Sequence, residues 1–247
     1  MHFGAAMRVN LMSTPSYDCT KCKKIFSHEN YKQSVYCPSC GERLWRRSLS
    51  PPPFKVDGFF ADFLGLKSFE VAEGIIFNDV PLWLASRKKA YIKYQEKFSA
   101  AKLADGDKWL TDFKNFLYFK NNQSWNLNRG GSEALSNPEQ LKHLLTLIQY
   151  DSTRLDERIR EALQGKSRCP GINKNILTGL LHTFYPDKYG VWNKQTDDGL
   201  KKIGRTPATT VDEGRHYLNI NAALTKLAAE LHTNLTTIDA FMWHLSK

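Results

Sequence analysis

The sequence predicts a mainly α-helical chain whose first fifty residues form a separate, small β-rich module. Three observations carry that expectation: four cysteines crowded into the first forty residues, a proline run behind them, and helical apolar spacing almost everywhere after it. The 247 residues hold 35 Lys and Arg against 25 Asp and Glu, a formal charge of +10. At 41% hydrophobic the chain can bury a core, so it is not a disordered basic tail. No apolar run approaches the ~20 residues needed to cross a bilayer, so no membrane span is expected. Residues Met1 to Met12 carry Arg8 and no continuous apolar stretch, so no secretory signal is expected either, and the expected location is cytoplasmic. The positive surplus points to a polyanionic partner.

The cysteines of the first module fall as Cys19-x2-Cys22 and Cys37-x2-Cys40, with fourteen residues between the pairs. Two such knuckles suit tetrahedral coordination of zinc, each turning two thiolates inward to about 2.3 Å from one ion. Thr20-Lys21 and Pro38-Ser39 fill the knuckles, and Gly41 follows the second. Two disulfides are the competing reading, but a reducing cell interior disfavours them. Four thiolates close the coordination sphere, so the expected zinc is structural rather than catalytic. From Tyr17 to Ser50 the net charge is +4, with Tyr31, Tyr36 and Trp45 interleaved. That mixture suits phosphate contact and base stacking, or equally a solvated face over a tiny core.

Pro51-Pro52-Pro53 favours a stiff polyproline II segment and excludes helix. The expected organisation is therefore a four-cysteine module over 1–50, a linker over 51–56 and an all-α domain over 57–247. Leu82 to Leu103 reads as one long basic helix carrying Arg87, Lys88, Lys89, Lys93, Lys97 and Lys102. Trp109, Leu110, Phe113, Phe116 and Leu117 have helical spacing and read as core. Asn137-Pro138-Glu139 is a helix start, with an N-cap amide and proline in the first turn. Helices are also expected over Arg154–Gln164, Lys174–Phe184, about Asp212–Leu231 and Thr236–Leu245. Few alternating runs appear outside the first module.

The most informative stretch is Arg154–Gly204. An amphipathic helix bearing Leu155, Ile159 and Leu163 leads into Gly165-Lys166-Ser167-Arg168-Cys169-Pro170-Gly171-Ile172-Asn173, and a second bears Ile176, Leu177, Leu180, Leu181 and Phe184. Gly171 can take φ > 0 and leaves its backbone bare, so amide groups at the second helix can approach a phosphate. Lys166, Arg168 and Lys174 flank the turn with charge. An ordinary helical hairpin that binds nothing is the bland alternative.

Here the chain resembles the helix–hairpin–helix DNA glycosylase superfamily, the group of endonuclease III and the 8-oxoguanine glycosylases, whose hairpin typically reads Leu-Pro-Gly-Val-Gly. Asn173 stands where the second glycine would, a mild departure because asparagine tolerates the left-handed conformation. After the hairpin come Tyr185-Pro186-Asp187-Lys188-Tyr189-Gly190-Val191-Trp192-Asn193 and Thr196-Asp197-Asp198-Gly199-Leu200. With Asp239 and Trp243 they resemble a bacterial branch of glycosylase-like proteins, some associated with restriction and phage defence. The resemblance covers roughly Gln123 to Lys247 and not the cysteine module.

That resemblance implies a protein that flips a nucleotide from double-stranded DNA and cuts its glycosidic bond, leaving an abasic site. In the family an aspartate at the start of the helix after the hairpin faces the flipped nucleotide, and Asn193 matches that position. Asn193 can orient water, while Asp197, four residues on, shares its face and can supply negative charge; Asp198 is less well aligned. The plain alternative makes Asn193 an N-cap and the two aspartates partners of the helix dipole. Bifunctional members use a lysine that Asn175 replaces here, so Lys174 is expected to touch phosphate and the enzyme to be monofunctional. Gly171 and Asn173 belong to the same DNA contact. Trp125 and Asn126, within Asn121-Asn122-Gln123-Ser124-Trp125-Asn126, suit stacking and base-edge contacts, or a polar loop around a buried ring.

The defence-associated branch would imply a hydroxymethylated or glucosylated cytosine in invading DNA. A repair glycosylase for oxidised or alkylated purines and a non-catalytic DNA reader are the alternatives. The chain lacks a Gly-x-x-x-x-Gly-Lys phosphate loop, so no nucleotide cofactor is expected. It is expected to act as a monomer.

Overall fold

The computed structural model describes residues 16–18, 21–23, 25–27, 40, 45–46, 56–72, 75–77, 79–118, 128–149 and 154–247. The chain divides into two compact units, Met1–Phe54 and Lys55–Lys247. In the first, β1 (Ser16–Asp18) is the centre of a three-stranded sheet, antiparallel to β2 (Ile25–Ser27) and to β3 (Trp45–Arg46). Lys23, between β1 and β2, has φ 58°, a left-handed conformation uncommon outside glycine.

The second unit is mainly helical. It opens with α1 (Val56–Leu64) and a short hairpin of β4 (Phe69–Ala72) and β5 (Ile75–Phe77), antiparallel with an irregularity between Glu70 and Ala72. Alternation along four bulged residues is too brief to read in a sequence. Next comes α2 (Val80–Lys97), started by Asp79, whose side chain accepts from the Leu82 N–H, with proline in the first turn. The basic segment expected as one helix ends here; α3 (Ala100–Ala104) is separate. The break is at Ser99, whose ψ of 153° is extended, just after Phe98, which is fully buried and packs its ring against Tyr94, Phe113 and Phe116. The last two rings come from α4 (Lys108–Phe116).

Then follow α5 (Asn128–Ala134), α6 (Pro138–Gln149), α7 (Leu155–Gln164), α8 (Lys174–Phe184), α9 (Lys194–Lys202), α10 (Glu213–Glu230) and α11 (Leu235–Leu245). Two glycines set how closely these pack. A Cβ at Gly214 of α10 would overlap the Asp156 carbonyl oxygen of α7, and one at Gly199 of α9 would press on Met242 of α11. Backbones therefore meet directly at both crossings. Arg87, expected on a basic face, is instead fully buried and pairs with Asp239 of α11 at 2.7 Å. Its guanidinium lies over the rings of Trp83 (4.7 Å) and Tyr91 (5.3 Å), so α2 is pinned to α11 by charge as well as by packing. Among the described residues no helix is long and apolar enough to cross a membrane.

Candidate functional site

The connection between α7 and α8 is a tight, specified turn. The Ile172 N–H donates to the Cys169 carbonyl at 3.1 Å, with Pro170 and Gly171 between them. Gly171 has φ 80°. Proline followed by a positive-φ glycine is the signature of a type II turn, which explains why those two residues stand together. Asn173 departs from expectation. Its φ of −103° and ψ of 176° are extended rather than left-handed, and it caps α8 by accepting from the Ile176 N–H at 3.1 Å. In place of a second positive-φ residue, the turn has an asparagine that pays for its own helix start.

Further back, Glu161 of α7 reaches under the turn, where its carboxylate accepts from the Ser167 N–H at 2.9 Å. The hydrogen bonds from Ser167, backbone first, hold that carboxyl below the usual carboxylate range. Cys169 is buried, and burial pushes its thiol up to about 11, so it serves as core rather than as a nucleophile. Lys166, Arg168 and Asn173 remain exposed around the turn.

From α8 the chain returns through Tyr185–Trp192, which is tied down on both sides. Gly190 donates to the Asn221 side chain at 2.7 Å and accepts from the Tyr217 hydroxyl at 2.7 Å. The Trp192 N–H donates to the Thr178 hydroxyl of α8 at 2.9 Å. His182 is fully buried, held between the Tyr189 carbonyl on Nδ1 and the Thr236 hydroxyl 3.2 Å from Nε2. A carbonyl can only accept, so Nδ1 carries the proton and Nε2 accepts from Thr236. Burial, reinforced by the Arg87 charge, lowers the imidazole to about 3. His182 is thus a neutral structural tie between α8, the loop and α11.

These ties bring the start of α9 beside the start of α8. Lys174, first residue of α8, places Nζ 4.1 Å above the Trp192 ring and 3.6 Å from a carboxylate oxygen of Asp197. Asn193 is the N-cap of α9: its Oδ1 accepts from the Thr196 N–H at 2.8 Å and lies 3.0 Å from the Thr196 hydroxyl. Thr196 is itself buried, with its hydroxyl 2.8 Å from the Val191 carbonyl. The Asn193 carbonyl is therefore committed to the cap, which leaves its NH2 group as the donor available to a ligand. Asp198 turns elsewhere, making an i,i+4 pair with Lys194 at 3.1 Å.

The structure thus gathers Gly171, Asn173, Lys174, Asn193 and Asp197 around two neighbouring helix N-termini, with Lys166 and Arg168 on the turn. It does not bring Asp198 to Lys174. Trp125 and Asn126 lie outside the described residues. Asp239 and Trp243 fall on α11, where Asp239 serves the buried pair with Arg87. Sequence reasoning missed Thr178, Thr196 and Glu161, which hold the arrangement. A buried threonine in a helix reads as filler unless its tertiary partner is known.

In the first unit, the sulfurs of Cys22 and Cys40 stand 2.9 Å apart, so one thiol of each knuckle meets the other. Two thiolates on one tetrahedral zinc would be about 3.8 Å apart, while a disulfide is near 2.05 Å. The separation of Cys22 and Cys40 lies between those two values and matches neither a shared ion nor a disulfide. Cys19 and Cys37 lie outside the described residues, among which no group of three or more His, Cys, Asp or Glu is placed to hold a metal.

Compared with known proteins, the chain matches no family model, no curated protein and no solved structure.

Proposed function

We propose that the helical unit is a monofunctional DNA glycosylase that holds duplex DNA by the α7–α8 hairpin and cuts a flipped nucleotide at the start of α9. The observation that carries this reading is the Lys174–Trp192–Asp197 contact, which sets two helix N-termini side by side. Each N-terminus presents partial positive charge and backbone N–H groups. Exposed Lys166 and Arg168 add full charges, a combination suited to a phosphate backbone.

The chemistry follows from what each group can do. Breaking the glycosidic bond sends its electron pair to the base nitrogen and leaves oxocarbenium character on the sugar. The Asp197 carboxylate stabilises that charge, and Lys174 keeps it oriented. The Asn193 NH2 group holds either the departing base or the attacking water by donation. The water oxygen bonds to the anomeric carbon, and its proton goes to the base or to solvent. The substrate proposed is a hydroxymethylated or glucosylated cytosine; this choice rests on the sequence resemblance alone. In the N-terminal unit, Cys19, Cys22, Cys37 and Cys40 are proposed to hold one structural zinc, a reading that rests on the spacing of the two Cys-x2-Cys pairs.

One observation favours a second reading. The Asn193 side-chain carbonyl already serves as a helix cap, a role it would have equally in a DNA reader without catalysis. Incubation with duplexes carrying different modified bases, followed by alkali, separates the two. Strand breaks at a modified base support the glycosylase, breaks only at oxidised or alkylated purines move it to repair, and binding without breaks at any base supports the reader.

A further inference from the structure

We infer that the phosphate-binding surface of the hairpin continues onto α6, with His143 as a ligand to the same stretch of nucleic-acid backbone as Lys166 and Arg168. This rests on the proposed nucleic-acid ligand and adds a residue and an element that the hairpin motif does not contain.

His143 is exposed on α6, and its Nε2 lies 2.9 Å from the Ser167 hydroxyl. Ser167 is the residue between Lys166 and Arg168, both exposed. Its N–H is already taken by the Glu161 carboxylate at 2.9 Å. Ser167 is thus held by its backbone from α7 and by its side chain from α6, so the cations on either side of it are carried on a fixed backbone. The Glu161 carboxylate that accepts the Ser167 N–H stays anionic beside the turn. His143 engages Ser167 through Nε2, and Nδ1 is the ring nitrogen remaining for a phosphate oxygen. A histidine tied to the middle of a Lys-Ser-Arg turn is one side chain away from any phosphate those cations hold.

Binding of the full-length protein to an unmodified duplex, measured across a salt series, tests this. His143→Ala is expected to weaken binding about 3- to 10-fold and to reduce the slope of log K against log salt by up to about one. His143→Lys is expected to restore both, and His143→Glu to weaken binding further. Ser167→Ala removes the tie but keeps the imidazole, and is expected to bind within about twofold of wild type. The inference is overturned if His143→Ala binds as wild type, if His143→Lys fails to rescue, or if Ser167→Ala loses as much as His143→Ala, since the histidine would then only brace the turn. If the wild-type protein binds no duplex, the proposed function falls with it; if it binds and His143→Ala is unchanged, the inference alone falls.

Discussion

Lys174 and Asp197 meet at 3.6 Å across the starts of two successive helices, with the Lys174 ammonium resting on the Trp192 ring. Both side chains are close to 40% exposed, so water screens the pair and it adds less than about 1 kcal/mol to stability. Its value is positional. Asp197→Asn is expected to leave the melting temperature within a few degrees of wild type while slowing base release by about 100-fold or more. Thermal melting and single-turnover release on the same preparation check both halves.

Gly171 occupies a backbone conformation that an L side chain adopts at a cost, φ 80° at the third position of the turn. Gly171→Ala is expected to cost about 1–2 kcal/mol, roughly 2–8 °C in Tm for a unit of this size. Duplex affinity should fall with it, because the strained turn can no longer offer its amides at close range. Calorimetry and a binding titration check this.

His182 gives the helical unit an acid-sensitive core. Its folded value of about 3 lies below the 6.5 of the ordinary imidazole, because burial penalises the charged ring. Between those values the unfolded chain binds one proton more than the folded one, so the contribution is complete above about pH 6.5 and is lost as pH falls toward 3. The slope should reach about 1.4 kcal/mol per pH unit. Denaturant titrations from pH 7 to pH 4 should show that slope in wild type and a shallower one in His182→Gln.

Removal of zinc tests the N-terminal module independently. One zinc per chain is expected in metal analysis, with a strong chelator unfolding the three-stranded sheet while the Tm of the helical unit stays unchanged. Cys22→Ser should lower the zinc content in the same way.

Much of the helical unit is legible in the sequence because its signals are local. Asn137-Pro138-Glu139 marks a helix start, and α6 begins at Pro138. Pro170-Gly171 marks a turn, and Gly171 takes the positive φ it was read for. What was illegible depends on partners far along the chain. Arg87 reads as one more charge on a basic helix until Asp239, 152 residues away, is placed beside it. The break between α2 and α3 turns on the extended backbone of Ser99, through which the helical spacing of the sequence runs uninterrupted. Asn173 and Asn193 are both caps, each accepting from the N–H three residues on. The sequence allowed that role for Asn193, but for Asn173 it suggested a left-handed turn instead. Around the hairpin, the turn at Gly171 and the helix start at Lys174 were legible from local residue types. That Asp197 and not Asp198 faces Lys174 required the relative rotation of α8 and α9.

Asn193 decides between an enzyme and a reader, and one substitution separates its two roles. Serine is as good an N-cap as asparagine, but it lacks the NH2 group that is left to meet a nucleotide. The account predicts that Asn193→Ser melts and binds duplex DNA as wild type does, yet releases a modified base at least about 100-fold more slowly in a single turnover. Release at the wild-type rate would contradict it.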